Sequence, residues 1–585
     1  MKQLFTRLCA AALGVLPSTV VAQTTFSPAH GNYAGLEGMS WNPGTLADNR
    51  LSCQLQLIGF DVHATNNAYR YVGPWTLRSP GANDLDLSQR YLTPRPGNDA
   101  RLGGVGLTLR GPGLLLRLNA RNTVAVSSRV RTSIQVNAAS PEFIRNAVDG
   151  FEQRADVRNQ TLNLNLNAIA EWNVGYGRVV LDQGRHFLKA GATVRRVSGI
   201  ASAYLQSKAL DYEVVARTAS TGDSTLHLKR LDAAFGYSNL DAFDNFDAGQ
   251  ALRWLKPGNG NGAGWGLDVG VVYELRPQTE QYNYVDKKGR NRVDHSRNKY
   301  RLRLAAALTD MGSVRYAQAM NYARIQATNL KVSEADVEGI DLDNLDERMN
   351  RVLRTVRYPR TTVLKAKLPT ALHLDVDYRL AGKLYVNAAI NQGMTGRYAV
   401  GMRTFSTATV SPRLETKWLE IAPSVALLNN YRTVATGMSL RMGPLLIGSN
   451  DLSSLFASAD PYGASVYMQF SLLNIGNARY KPKKGTRKPV PVPARPAIPA
   501  SPVVAPAPAT TPAVMPAPAA TPTDTAPAPA ETKPAEPAPQ SAPAEPMPAP
   551  TEPAPAPAEP TPAEQKPTEP AATPVAPSPA PATQP

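Results

Sequence analysis

The chain has 585 residues, a formal net charge of +17 and a sequence pI of about 9.7. The N-terminus has an export signal and the chain lacks basic motifs interleaved with aromatic residues, so nucleic acid is excluded as a partner. It has two cysteines, too few for a disulfide framework, and no uninterrupted apolar segment of the roughly 20 residues that a transmembrane helix needs.

Residues 1–22 have the organisation of a secretory signal peptide. A basic start is followed by an apolar run from Leu8 to Leu16, and small residues precede a cleavage position after Ala22. The mature chain then begins near Gln23 and retains Cys53 alone. An exported chain of this kind is either soluble or inserted as a β-barrel, because helices and closed barrels are the structures that satisfy the backbone in lipid.

The segment before the first strand, residues 31–50, is rich in glycine and turn-forming residues. Asn42 is positioned to cap a single helical turn that begins at Pro43, where the fixed φ of proline is compatible with a helix. Turn chemistry alone is equally consistent with a plain loop followed by a turn.

From Leu51 onward, long stretches alternate between apolar and polar residues, which is the period of β-strands. The clearest is 161–174, where leucines, alanines and Trp172 share one parity and asparagines and Glu171 share the other. Ile169 is its one exception. About fourteen strands are predicted from fifteen alternating segments, of which those near 214 and 228 are weaker. The segments lie near 51–64, 104–118, 123–136, 161–181, 187–204, 214, 228, 266–275, 300–308, 372–380, 384–391, 400–412, 418–428, 432–442 and 462–472.

Three segments interrupt these strands. A short helix is predicted to start at Pro141, and an amphipathic helix capped by Ser333 is predicted to extend to Leu353. The glycine-rich run from Gly258 to Gly266 lacks the following helix and the lysine of a nucleotide-binding loop, so a flexible turn is expected there.

Alternation alone does not distinguish a soluble β-sandwich from a membrane barrel, but two further features favour the barrel. Many predicted strands have ten or more residues, matching the roughly 9 to 11 that cross a bilayer and exceeding the usual five or six of soluble strands. Their polar parity carries arginine, aspartate and asparagine through mid-strand, as in a solvated lumen. We therefore predict an all-β, transmembrane antiparallel β-barrel.

The chain also resembles an uncharacterised family of exported outer-membrane β-barrel proteins, similar in outline to long-chain fatty-acid transporter-like barrels and to the barrel subunit of type IX secretion. The resemblance implies that the Asn-Pro segment belongs to an N-terminal hatch inside the lumen, and it places Asn42, Pro43, Leu46, Ala47 and Asp48 in a plug. Gly44 departs from the alanine that is usual in the wider group. The stretches that carry the resemblance are YAGLEGMSWNPGTLADNR, EWNVGYGRVVLDQGRHFLKAG, GWGLDVGVVYELRP, LPTALHLDVDYRL and GPLLIGSNDL.

Charged residues on the polar parity are predicted to line the lumen. They are Arg129, Arg131, Glu171, Asp268, Arg301, Arg303, His373, Asp375, Asp377 and Arg379. Their surplus of arginine suggests an interior that favours anionic solutes, although pairing of the arginines with the carboxylates across the barrel explains them equally well.

The spacing of His373, Asp375 and Asp377 brings the three side chains together on one face of a strand. Such a set would suit a metal or a polarised histidine, but mixed charges in a watery lumen have the same pattern. The chain has six histidines and none of the common hydrolase, metalloprotease or phosphate-loop motifs. We expect no enzymatic activity, no metal and no cofactor.

About two thirds of the 51 prolines lie beyond residue 480, mixed with alanine, threonine and glutamate. Such a composition cannot bury a core, so a disordered Pro/Ala-rich tail is predicted at 481–585. It is either a passive spacer or a periplasmic tether that reaches peptidoglycan or envelope proteins. The full prediction is a signal peptide (1–22), a hatch-like segment (23–50), a barrel (51–480) and this tail.

The predicted function is a non-enzymatic outer-membrane passage or binding site for small amphipathic or hydrophobic molecules, with outer-membrane lipid around it. The alternative is a platform for envelope assembly or secretion, whose tail recruits partners.

Overall fold

The computed structural model describes residues 28–72, 89–148, 154–215, 225–239, 248–256, 258–285, 289, 291–333, 360–453 and 461–475. The predicted signal peptide, the helix predicted after Ser333 and the Pro/Ala-rich tail lie outside these ranges.

Fourteen antiparallel strands form a closed barrel in which the first strand pairs with the last, from Leu51 opposite Ile475 to Thr65 opposite Gly463. This confirms the predicted fold class and strand number. The strands are β1 (Leu51–Asn66), β2 (Arg101–Arg117), β3 (Asn122–Ala139), β4 (Ala155–Gln183), β5 (His186–Val215), β6 (Thr225–Ser238 and Gly262–Leu275), β7 (Leu302–Tyr316 and Met320–Ser333), β8 (Arg360–Thr361, Leu364–Lys367 and Ala371–Ala381), β9 (Leu384–Gly393), β10 (Thr407–Glu415), β11 (Leu419–Leu428), β12 (Thr433–Met442), β13 (Leu445–Ser449) and β14 (Gly463–Ile475).

The side chains are distributed inside out relative to a soluble protein. On the outer face Val174 is 58% exposed and Trp265 61%, whereas Glu171 and Asp377 on the inner face are completely buried. An outward apolar band around a polar interior is the arrangement of a barrel that lies in lipid.

Strands β6, β7 and β8 are each built from two or three pieces, and the barrel wall is irregular where these pieces meet. On β4 Ile169 shares the inward parity of Asn167 and Glu171 and packs with Tyr204, Tyr316 and other buried apolar residues. The neighbouring register shift pairs Ala168 with Ala201 and Ile169 with Gly199, so the extra residue is Ile200 on β5. The exception in the 161–174 pattern is thus an apolar side chain on the inward face, and the parity change caused by the β-bulge falls on β5, between Val197 and Ser202.

In the described ranges, three α-helices accompany the barrel. Helix α1 (Leu36–Trp41) lies in the N-terminal segment and α2 (Pro141–Val148) follows β3, as predicted from Pro141. Helix α3 (Ala248–Trp254), which was not predicted, joins the two pieces of β6 and packs with the wall residues Ala168, Ala170 and Ile200. None of the helices in the described part of the chain has the length and apolarity to cross a membrane.

These outer contacts refine the prediction for 161–174. Leu162 is buried among residues of α2 and its surroundings, while Trp172 and Val174 remain exposed on the outer wall. The indole Nε1 of Trp172 donates a hydrogen bond of 3.0 Å to the carbonyl of Leu255, just beyond α3. Helix α2 therefore covers Leu162 and helix α3 covers Ala168 and Ala170, whereas Trp172 and Val174 lie on the exposed outer wall.

Candidate functional site

Residues 28–50, which we call the plug, lie inside the barrel at the end where β1 begins. Asn42 joins the plug to the wall, because its Nδ2 donates hydrogen bonds of 3.1 Å to the carbonyls of Val271 on β6 and Ala306 on β7. Its Oδ1 accepts a 2.8 Å bond from the backbone N–H of Gly44 and caps the short turn Pro43–Leu46. Leu46 and Ala47, also predicted for the plug, are fully buried.

Glycines let the plug approach the wall closely. A Cβ on Gly270 would collide with the side chain of Asn42, and one on Gly191 would collide with the backbone of Pro43. A Cβ on Gly44 would lie 3.0 Å from the carbonyl oxygen of Gly270. Glycine at position 44, where the wider group has alanine, thus relieves a tight contact with β6.

Asp48 anchors the lower part of the plug. Its Oδ2 accepts hydrogen bonds of 2.7 Å from Arg50 in the plug and from Arg276 at the end of β6, and its Oδ1 lies 3.1 Å from Nδ1 of His295. Burial alone would raise the pKa of Asp48, but Arg50, Lys299 and Arg276 together hold it well below its usual value. The carboxylate therefore stays charged at neutral and mildly acidic pH.

A second element enters the lumen from the opposite end. Residues 394–406, which connect β9 to β10 and which we call the inward loop, are held by polar side chains of β3, β4 and β5. Asn165 accepts a 3.0 Å bond from the N–H of Gly401, and Gln135 both donates to the carbonyl of Arg403 at 2.8 Å and accepts from its N–H at 2.9 Å. The asparagine face of β4 is thus a receptor for the backbone of this loop.

A chamber of about 150 Å³ lies between the plug and the inward loop. Trp41 and Ser40 contribute from the plug, and Met402 and Phe405 contribute from the inward loop. The walls supply charged and polar side chains from strands on both sides of the lumen, namely Asp61, His63, Arg110, Arg129, Arg131, Ser133, Gln135, Thr309, Asp310, His373, Asn391 and Thr407.

Beside the chamber, charges are paired in a belt on the inner wall. Glu171 binds Arg129 and Arg131, Arg131 also binds Asp310 at 2.9 Å, and Arg195 binds Asp268 at 2.9 Å. Three arginines and three carboxylates balance in this belt, which lowers the cost of burying each charge.

The row His373, Asp375 and Asp377 on β8 lies in the lumen, but each residue has a different set of partners. His373 Nε2 is 2.7 Å from the hydroxyl of Thr309, and its ring packs 4.2 Å from that of Trp41. Asp375 lies 2.6 Å from Nδ1 of His30 in the plug.

Further along the row, Asp377 binds Arg413 at 2.9 Å, while Arg303 reaches both Asp375 and the carbonyl of His30. These contacts lock the plug to β7 and β8. Among the described residues, no group of three or more histidine, cysteine or acidic side chains is arranged to hold a metal ion.

Two predicted lumen residues lie elsewhere. Arg301 is exposed just before β7 and donates a 3.0 Å hydrogen bond to the hydroxyl of Tyr378, which has the outward parity of β8; its assignment to the lumen was wrong because the strand begins one residue later. Arg379 lies at the rim, where its guanidinium bonds to the carbonyl of Gly382 and to the hydroxyl of Tyr282.

Several residues of the site were not found from the sequence. Arg195 and Asp310 complete the charged belt, and Arg110 joins Glu37 of the plug at 2.8 Å to Asp61 of β1 at 3.1 Å. Arg195 shares the inward parity of its strand, so alternation in the sequence could have identified it as a lumen residue. Alternation could not have identified Asp310, because this residue lies at a bulge, with a φ of 54°.

Comparison with known proteins gives one family and a set of solved structures. A family of unknown function (DUF5723) matches residues 43–450. Similar structures include the toluene transporter TodX of Pseudomonas putida (10% identity, 78% of this chain and 99% of that chain, TM-score 0.34). They also include the toluene transporter TbuX of Ralstonia pickettii (9%, 80% and 98%, 0.31) and a FadL homologue of Pseudomonas aeruginosa (12%, 78% and 97%, 0.24). No curated protein matches the sequence.

Proposed function

The chain belongs to the DUF5723 family of unknown function, and we propose that it is a non-enzymatic outer-membrane barrel through which small amphipathic molecules pass by way of the lumenal chamber. The observation that carries this proposal is the closure of one chamber by two separate elements, the plug and the inward loop. The plug and the inward loop are both joined to the wall by hydrogen bonds and ion pairs outside the fourteen-strand ladder, so either can open while the barrel wall stays intact.

The lining of the chamber suits an amphipathic solute. Trp41, Met402 and Phe405 offer apolar surface, while Arg129 and Arg131 offer charged donors. Pockets for small molecules have this composition, with apolar walls and a few convergent polar groups that fix orientation.

Release of the inward loop tests the proposal. In Asn165→Ala the N–H of Gly401 loses its buried acceptor, which costs about 1–3 kcal/mol and shifts the loop equilibrium toward opening by roughly 5- to 100-fold. Asn173→Ala is the matched control, because Asn173 is a buried asparagine of the same strand that bonds to Ser127 on the neighbouring strand.

We expect single-channel openings in planar bilayers to be more frequent for Asn165→Ala than for wild type or Asn173→Ala, together with faster entry of a small aromatic acid into proteoliposomes. If no solute enters even when Asn165→Ala is combined with Asn42→Ala, which loosens the plug, the chamber is a closed cavity and the transport proposal fails.

A further inference from the structure

One wall of the chamber carries a row of polar atoms without partners. His373, Asn391 and Thr407 lie opposite one another in register on β8, β9 and β10. Their exposed fractions are 6%, 2% and 2%, and all three line the chamber. Among the described residues, Nδ1 of His373, Oδ1 of Asn391 and Oγ1 of Thr407 have no hydrogen-bond partner. Buried polar atoms are normally paired, and an unpaired one costs about 1–3 kcal/mol. Three in a row mark a place where a ligand supplies the missing partners.

Strand β3 presents unused donors to the same chamber. Nη2 of Arg129, Nε of Arg131 and the hydroxyl of Ser133 make no hydrogen bond to any described residue, although Nη2 of Arg129 lies 3.5 Å from Asp310. Guanidinium N–H groups are donors only, so whatever fills them must be an acceptor.

Arg403 of the inward loop adds a further guanidinium to the lining. Its Nε is buried without a hydrogen bond, and no carboxylate of the described residues pairs with it. Nη1 of Arg403 donates to the carbonyl of Gly396, which leaves Nε as a charged donor without a partner, and the acceptor that suits it is anionic.

Apolar surface and size complete the description of the ligand. Trp41 and Phe405 offer aromatic faces to the chamber. A volume of about 150 Å³ is that of a cavity which takes one benzene molecule. The chamber accommodates a single ring with small substituents.

We propose that the chamber binds a small hydroxylated aromatic carboxylate. The carboxylate accepts hydrogen bonds from Arg129, Arg131 and Arg403, and the ring lies against Trp41 and Phe405. The ring hydroxyl enters the row on β8 to β10, where it donates to Oδ1 of Asn391 and accepts from Thr407. This inference rests on the proposed function and names its substrate class.

Isothermal titration of the intact barrel in detergent with four probes tests the two recognition elements separately. 4-Hydroxybenzoate has both groups, benzoate lacks the hydroxyl, phenol lacks the carboxylate and benzene lacks both. We expect 4-hydroxybenzoate to bind roughly 3- to 10-fold more tightly than benzoate and roughly 10- to 100-fold more tightly than phenol, with benzene weakest, as neutral and charge-assisted hydrogen bonds differ in strength. Equal affinity for all four probes would overturn the inference.

Two variants test which residue recognises the ring hydroxyl and which recognises the carboxylate. Thr407→Val is expected to remove the preference for 4-hydroxybenzoate over benzoate and leave benzoate affinity unchanged, whereas Arg403→Gln should weaken both carboxylates and spare phenol. Thr409→Val is the control, because Thr409 also lies buried on β10 with an unpartnered hydroxyl but does not line the chamber. Equal effects of Thr407→Val and Thr409→Val would refute the assignment.

The transport proposal and the proposed ligand class can be refuted separately. Selective binding without entry into proteoliposomes would overturn the passage and leave the ligand inference intact. Passage of all four probes at equal rates, or no binding even in Asn165→Ala, would overturn the ligand class.

Discussion

The hydrogen bonds of Asn42 are a direct link between plug and wall, and Asn42→Ala should loosen the plug. The substitution removes two donors to wall carbonyls, each at 3.1 Å, and the acceptor that caps the turn at Pro43. A net contribution of about 0.5–1.5 kcal/mol per hydrogen bond and about 1 kcal/mol for the cap gives a loss of about 2–4 kcal/mol of docking free energy. The ratio of undocked to docked plug should then rise by roughly 30-fold or more.

Single-channel recording in planar bilayers measures this change as a higher open probability. Asn49→Ala is the control, because among the described residues the side chain of Asn49 bonds to Thr45 and to the backbone N–H of Leu51 at the start of β1, and not to β6 or β7. Equal open probabilities for Asn42→Ala and Asn49→Ala would show that the wall carbonyls of Val271 and Ala306 do not hold the plug.

Three further outcomes follow from the same geometry. Val174→Arg places a charge on the outer apolar band and should cost about 2–4 kcal/mol, reducing the heat-modifiable folded band on gels, whereas Leu118→Arg in the turn after β2 should assemble normally. Glu171→Gln leaves two partly buried arginines without the fully buried carboxylate that they share and should lower unfolding free energy in detergent and urea by about 3–5 kcal/mol; an unchanged midpoint would contradict the pairing. Since the pKa of Asp48 is depressed in the folded protein, its contribution is present above the unfolded value near 3.9 and is lost as pH falls through the lower folded value. Asp48 should therefore stay charged at both pH 7 and pH 5, and Asp48→Asn should raise the open probability at both.

Much of the barrel follows from the sequence because strand parity is a local property. Alternate side chains face opposite sides of a sheet, so the exposure of Val174 and the burial of Glu171 could be predicted from their neighbours alone. The Asn-Pro segment was placed in a plug by resemblance. The bulges could not be predicted from alternation, because the orientation of Asp310 and the parity change at Ile200 depend on where a register shift falls between two strands.

The chamber was decided by tertiary structure. Asn165 was predictable as a lumen residue, yet its partner is Gly401, which lies 236 positions away. Likewise His373, Asn391 and Thr407 each belong to a different strand, and their row exists only in the register of β8, β9 and β10.

The sequence by itself determined which face of each strand is apolar and that the interior is polar. Only the closed barrel decided which polar groups find partners in the plug or the inward loop, and which remain unpaired around a cavity. The reason is physical: parity is fixed by the backbone of one strand, whereas hydrogen-bond satisfaction depends on atoms that distant parts of the chain bring together.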